Sequence, residues 1–262
     1  MRFHRLAIAL LAGLVLAAAL IVATSSTNYA SQDRESTLGA ASAHHPAGTD
    51  ALGRDRLVRV SAALLLSLSG AVIAAAVTTA IAAVVGSAAA LSSGPVAWMM
   101  MLICDVFLAL PWLFLLMIVR SALPLTAAPA SSAAITFLVL AALGWPACAR
   151  AVYRGVRGLR KTDWILQSRA GGLRGPQIFR YTLPNLLPLL LPQFLISVPA
   201  FIIAEANLGA LGLGIGEPLP SWGGMLLELN NSAMLLQTRW VYLPVALLIL
   251  VLLLLDAIAV EV

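Results

Sequence analysis

Few residues in this chain of 262 are of a type that does chemistry, and most of those lack the spacing that chemistry needs. Asp105 and Glu205 are the exceptions. Each is a carboxylate within or at the edge of a long apolar run, where an ionisable side chain is a functional candidate by default. Asp105 suits two uses, lining a water-filled path or bonding to a neighbouring helix or subunit. Glu205 stands at the end of its run and is expected near water. His44-His45 has no third ligand at helical spacing, so a solvated loop explains it and no metal site is expected. Cys104 and Cys148 lie far apart without CxxC spacing, which points to neither a disulfide framework nor a metal. A phosphate-binding loop needs a glycine directly before its Lys-Ser/Thr. Lys161-Thr162 follows Gly155 at the right distance, but Arg160 fills the glycine position. Gly212, Gly214 and Gly216 spell GxGxG, short of a dinucleotide fingerprint. There is no GxSxG or HExxH either. No catalysis is expected from this chain, and no cofactor bound by it.

The elements that carry these residues are strongly apolar. Hydrophobic residues make up 61% and charged ones 10%, with a mean hydropathy of +0.97. A soluble domain carries about 25% charged residues, and disordered chains are poor in apolar ones, so both classes are excluded. The net charge of +5 and pI near 9.9 are read as loop topology signals rather than as a nucleic-acid surface. A membrane helix needs about 20 mostly apolar residues. The chain is thus expected to be an all-α polytopic membrane protein with about six transmembrane helices. Spans are predicted near 6–24, 67–91, 96–119, 131–149, 186–204 and 240–255. The first exceeds the roughly 7–15 apolar residues of a signal-peptide core and is read as retained. No charge interrupts Val60–Cys104; Ser92-Ser93-Gly94-Pro95 divides it into two spans. Asp105 costs the third span roughly 2.5–3.5 kcal/mol, which its many Leu, Ile, Phe and Val residues, at about 0.3–0.6 each, outweigh.

Half of the 16 Lys+Arg fall between Arg150 and Arg180. Basic residues collect on the cytoplasmic side, which puts the 150–185 loop and both termini inside, in the cytoplasmic membrane. The 25–59 loop and the Gly/Pro-rich 205–239 segment then lie outside. Within the basic loop, Asp163-Trp164-Ile165-Leu166 and Ala170 set apolar side chains at helical spacing. Asp163 suits a helix start, and Gly171-Gly172 suits a helix end. A short amphipathic helix results, able to lie on lipid headgroups or to dock in a groove of a partner.

Three blocks carry a resemblance. Gln167-Ser168-Arg169-Ala170-Gly171-Gly172, with the basic run before it and RYTLPN (180–185) after it, resembles the EAA loop of ABC importer permeases. HPAGTDALGRD (45–55) is similar to the HPxGTDxxGRD pattern of the C-type permeases of dipeptide, oligopeptide and nickel importers. EANLGALGLGIGEPLPSWGGML (205–226) resembles their EAxLSFLGLGxxPPxPSWG block. Gln167-Ser168 replaces the usual Ala-Ala, Gly209-Ala210 replaces Ser-Phe, and either Gly171 or Gly172 fits the motif glycine.

The resemblance implies a type I ABC importer transmembrane domain, half of a translocation path for peptides. It implies a homologous second permease subunit, two cytoplasmic ATPases that hold ATP and magnesium, an extracytoplasmic substrate-binding protein, a lipid bilayer and no nucleic acid. Asp163, Trp164, Leu166, Gln167, Ser168, Arg169, Ala170, Gly171 and Gly172 would couple to an ATPase. Asp50, Arg54, Asp55, Glu217 and Trp222 would meet the binding protein. Asp105 and Glu205 would serve the path or helix pairing. The alternatives are a secondary transporter working alone, with Asp105 as an ion or proton relay, and a membrane scaffold.

Overall fold

The computed structural model describes residues 2–92, 94–122, 128–159, 162, 167, 170–173, 175–230 and 239–260. In chain order the helices are α1 (Arg2–Thr24), α2 (Arg56–Leu91), α3 (Pro95–Ala109), α4 (Trp112–Ser121), α5 (Pro129–Leu159), α6 (Gly175–Ala210), α7 (Trp222–Leu227) and α8 (Leu243–Val260). Short 3-10 turns occupy Glu228–Asn230 and Arg239–Tyr242. Five helices are long and apolar enough to cross a membrane, and the bent pair α3–α4 supplies a sixth crossing if it counts as one span. The all-α polytopic reading therefore holds.

Helix α2 is the central post, and α5 lies against it. Its buried face is made of small residues, among them Ala71, Ala74, Ala75, Thr78, Ala82, Gly86 and Ala90. Apolar helices in lipid gain no hydrophobic drive from pairing, so small residues that let backbones close up decide which faces meet. A Cβ on Gly86 would stand 2.5 Å from the Ala149 carbonyl oxygen of α5. The Thr78 hydroxyl donates across the same interface to the Ala141 carbonyl, at 3.1 Å. Helix α6 closes the other side, with Val198, Phe201 and Ile202 in the shared core.

Four expectations are corrected. The third span is no straight rod: α3 and α4 meet at 88°. Leu110 is extended at φ −84°, ψ 139°, because the ring of Pro111 disfavours the helical region for the residue before it. The second helix starts at Arg56, where the Asp55 carboxylate accepts from the Leu57 and Val58 amides and sets the N-cap. Helix α5 runs past Ala149 to Leu159, so Arg150, Arg154 and Arg157 are helical. Helix α6 runs continuously through Pro184, Pro188, Pro192 and Pro199 to Ala210.

Candidate functional site

Chemistry-bearing side chains gather at two ends of the bundle. At one end the chain between α1 and α2 folds onto the segment between α6 and α8. Gly53 and Gly48 take left-handed φ of +73° and +67°, which glycine does without a Cβ clash. The turn they shape brings Asp50 and Arg54 together. Arg54 Nε bonds Asp50 Oδ2 at 2.6 Å, and its Nη1 reaches Glu217 Oε2 at 2.6 Å. Arg59, one turn into α2, gives its Nη2 to Glu217 Oε1 at 3.1 Å and sits 3.6 Å from Asp50 through Nε. Arg56 pairs with Glu228 at 2.9 Å and donates to the Thr49 carbonyl at 3.3 Å. His45 Nδ1 lies 2.9 Å from Asp55 Oδ2. Burial pushes the Glu228 carboxyl above the usual glutamate range, against the pull of Arg56.

Three guanidinium groups and their carboxylates thus fasten residues 45–59 to residues 217–228. The arrangement changes the role expected of four of the five residues assigned to the binding protein. Asp50, Arg54, Asp55 and Trp222 are buried, Trp222 completely, and act as internal struts rather than as a surface for a partner. Only Glu217 keeps an exposed side chain, at 57%.

Glu205 is corrected as well. Expected near water, it is fully buried, because α7 folds back across the end of α6. A Cβ on Gly223 would stand 2.8 Å from the Glu205 carbonyl oxygen, so glycine there permits the approach. The Ser67 hydroxyl of α2 donates to Glu205 Oε2 at 3.0 Å, and among the described residues Oε1 has no hydrogen-bond partner.

At the opposite end Asp105 of α3 pairs with Arg150 of α5. Of its two expected uses, bonding to a neighbouring helix is the one this geometry displays. Beyond α5, Gln167, Ala170, Gly171 and Gly172 are exposed. The Gly171 amide closes a helical turn on the Gln167 carbonyl at 2.8 Å. Gly172 takes φ +83°, which makes it the left-handed residue that ends the turn. Asp163, Trp164, Leu166, Ser168 and Arg169 lie outside the described residues.

Sequence reasoning missed Arg120, Arg56, Arg59 and Glu228. Arg120 is the lone charge between Asp105 and Arg150, so the rule that singled out Asp105 applies to it equally. It is fully buried, with Nη2 donating to Ser132 Oγ at 2.8 Å and to the Gly214 carbonyl at 3.1 Å. Among the described residues no carboxylate pairs with it. Arg56 and Arg59 carried a different signal. Cations in a helix's first turn oppose its dipole, which calls for a carboxylate partner.

Comparison with known proteins decides the family. Residues 82–261 match the profile of the binding-protein-dependent transport system inner membrane component. The chain belongs to that family. This inner membrane component is also 31% identical over 200 residues to a putative peptide permease protein of Brucella suis biovar 1, covering 76% of this chain and 64% of the relative. It is 34% identical over 189 residues to the oligopeptide transport system permease protein OppC of Escherichia coli K12, covering 72% and 61%. To the dipeptide transport system permease protein DppC of Bacillus subtilis it is 34% identical over 185 residues, covering 70% and 56%. The chain thus spans under two thirds of the length of these relatives.

Proposed function

We propose that this inner membrane component is a non-catalytic permease subunit of an ATP-driven ABC importer and forms half of a path for peptides. The observation that carries the reading is the exposed turn closed by Gly172, held between the ends of two long helices, α5 and α6. A groove on a cytoplasmic ATPase would receive that turn. Nucleotide binding would then bias α5 and α6 between two arrangements through contacts that differ in each. ATP and magnesium belong to the two ATPases, and a second homologous permease completes the path. Both termini and the arginine-rich end face the cytoplasm. The Arg54–Glu217 end faces outward, where Glu217 and the exposed Leu52 and Leu211 would meet the binding protein. Peptide cargo follows from the names of the relatives. The Asp105–Arg150 pair speaks against Asp105 as a free-standing relay.

The test is uptake of a labelled peptide into vesicles holding this chain with its copurified subunits. Uptake should need ATP and vanish for the chain alone. Transport by the isolated chain without ATP would overturn the reading, as would failure of cysteines at Gln167 or Ala170 to crosslink to an ATPase.

A further inference from the structure

At the arginine-rich end, α2, α3 and α5 enclose a cavity of about 660 Å³ that the transport reading leaves unused. Its walls follow from helix register. On α3, Trp98 and Asp105 are seven residues apart, and on α5 so are Arg150 and Arg157, two turns in each case and about 10 Å of helix. Arg150 meets Asp105, and the two helices run in opposite senses through the fold, so Trp98 and Arg157 stand at the same level. The Asp105–Arg150 pair makes a neutral floor, and Trp98 and Arg157 flank the mouth. Both line the cavity, as does Tyr153.

Among the described residues no carboxylate pairs with the cation at the mouth. Arg157 gives Nη1 to the Tyr153 hydroxyl at 2.6 Å and its guanidinium lies 5.6 Å from that ring's centroid. Tyrosine brings no negative charge, and a guanidinium has five N–H donors. Among the described residues the other four have no partner, and they suit something that enters. Trp98 is 63% exposed, an amphipathic ring of the kind that settles at headgroup depth. A planar fork of donors suits phosphate oxygens, and basic pockets between membrane helices on the cytoplasmic side hold anionic headgroups.

We propose that this cavity is a binding site for the phosphodiester of an anionic phospholipid, with Arg157 on the phosphate oxygens, Tyr153 aiming Arg157, and Trp98 flanking the headgroup. Assignment to the inner leaflet rests on the orientation proposed above. Binding itself does not, so the two can fail separately.

Native mass spectrometry of the detergent-purified complex, titrated with phosphatidylglycerol or phosphatidylcholine, tests the site. Phosphatidylglycerol should be retained preferentially, and Arg157→Gln should cut that preference about fivefold. Arg154→Gln, an exposed arginine on the same helix that does not line the cavity, should leave it unchanged. Should Arg157→Gln not fold, Tyr153→Phe keeps the charge but removes its aim and must also lower the preference. Equal retention of the two lipids, or equal effects of the Arg154 and Arg157 variants, would overturn the proposal. Displacement of the lipid by millimolar inorganic phosphate would overturn it too, by assigning the cradle to a soluble anion.

Discussion

Gly209 and Gly223 meet backbone to backbone: a Cβ on Gly223 would stand 2.5 Å from the Gly209 Cα and 2.9 Å from its nitrogen. Main chain cannot yield as a flexible side chain can, so an added methyl must push α7 off α6 and uncover Glu205. Gly223→Ala is expected to cost about 1–3 kcal/mol, the usual range for overpacking, and to lower the thermal midpoint in detergent. Gly224→Ala, whose Cβ would meet only Ser221 Oγ at 3.6 Å, should change it little. Equal midpoints for the two variants would refute the close crossing.

Glu217 serves two guanidinium groups at once, Arg54 and Arg59. Glu217→Gln should destabilise by about 1–3 kcal/mol, because hydrogen bonds to charged groups are lost while the buried arginines remain. A double-mutant cycle with Arg59→Met checks the pair. A coupling energy near zero would mean that Arg59 is held by the Tyr29 and Pro218 carbonyls instead.

Gly172 has open space around it but a left-handed φ of +83°. Conformation therefore matters there more than size. Gly172→Val should disturb the turn, whereas Gly172→Asn, which tolerates that conformation, should be milder. In the reconstituted complex the valine variant should insert normally yet show ATP hydrolysis uncoupled from peptide uptake. Normal uptake would count against docking at this turn.

Asp105→Asn leaves Arg150 without its carboxylate. Uptake should fall more than the amount of protein in the membrane, and the exchange Asp105→Arg with Arg150→Asp should recover part of it. Loss of protein alone, with normal uptake per molecule, would assign the pair to folding.

Much of this architecture is written in local chemistry. The span count follows from hydropathy, and Gly171-Gly172 announces a stop. Other features arise from contacts no local pattern encodes. Hydropathy ends where lipid would end, not where hydrogen bonding does, so it does not reveal the continuation of α5 through Arg150 and Arg157. Pro111 was visible, but transfer energies carry no direction and cannot reveal a right-angle corner. Glu205 is buried because two glycines far apart in sequence let α7 cover it. The arginines of the first turn of α2 find carboxylates more than 150 positions away, a distance at which only the folded chain introduces them.

The Arg54–Glu217 cluster has a bearing on where this protein can be cut. The family match begins at residue 82, yet Arg54, Arg56 and Arg59, the Ser67 hydroxyl on Glu205 and most of the α2 face under α5 precede it. A fragment trimmed to the matched region would leave Glu217, Glu228 and Glu205 stripped of their mates and α5 facing an empty seat. The smallest piece able to fold unaided must reach back at least to His45, so the stretch matched by the family profile and the smallest self-sufficient stretch do not coincide.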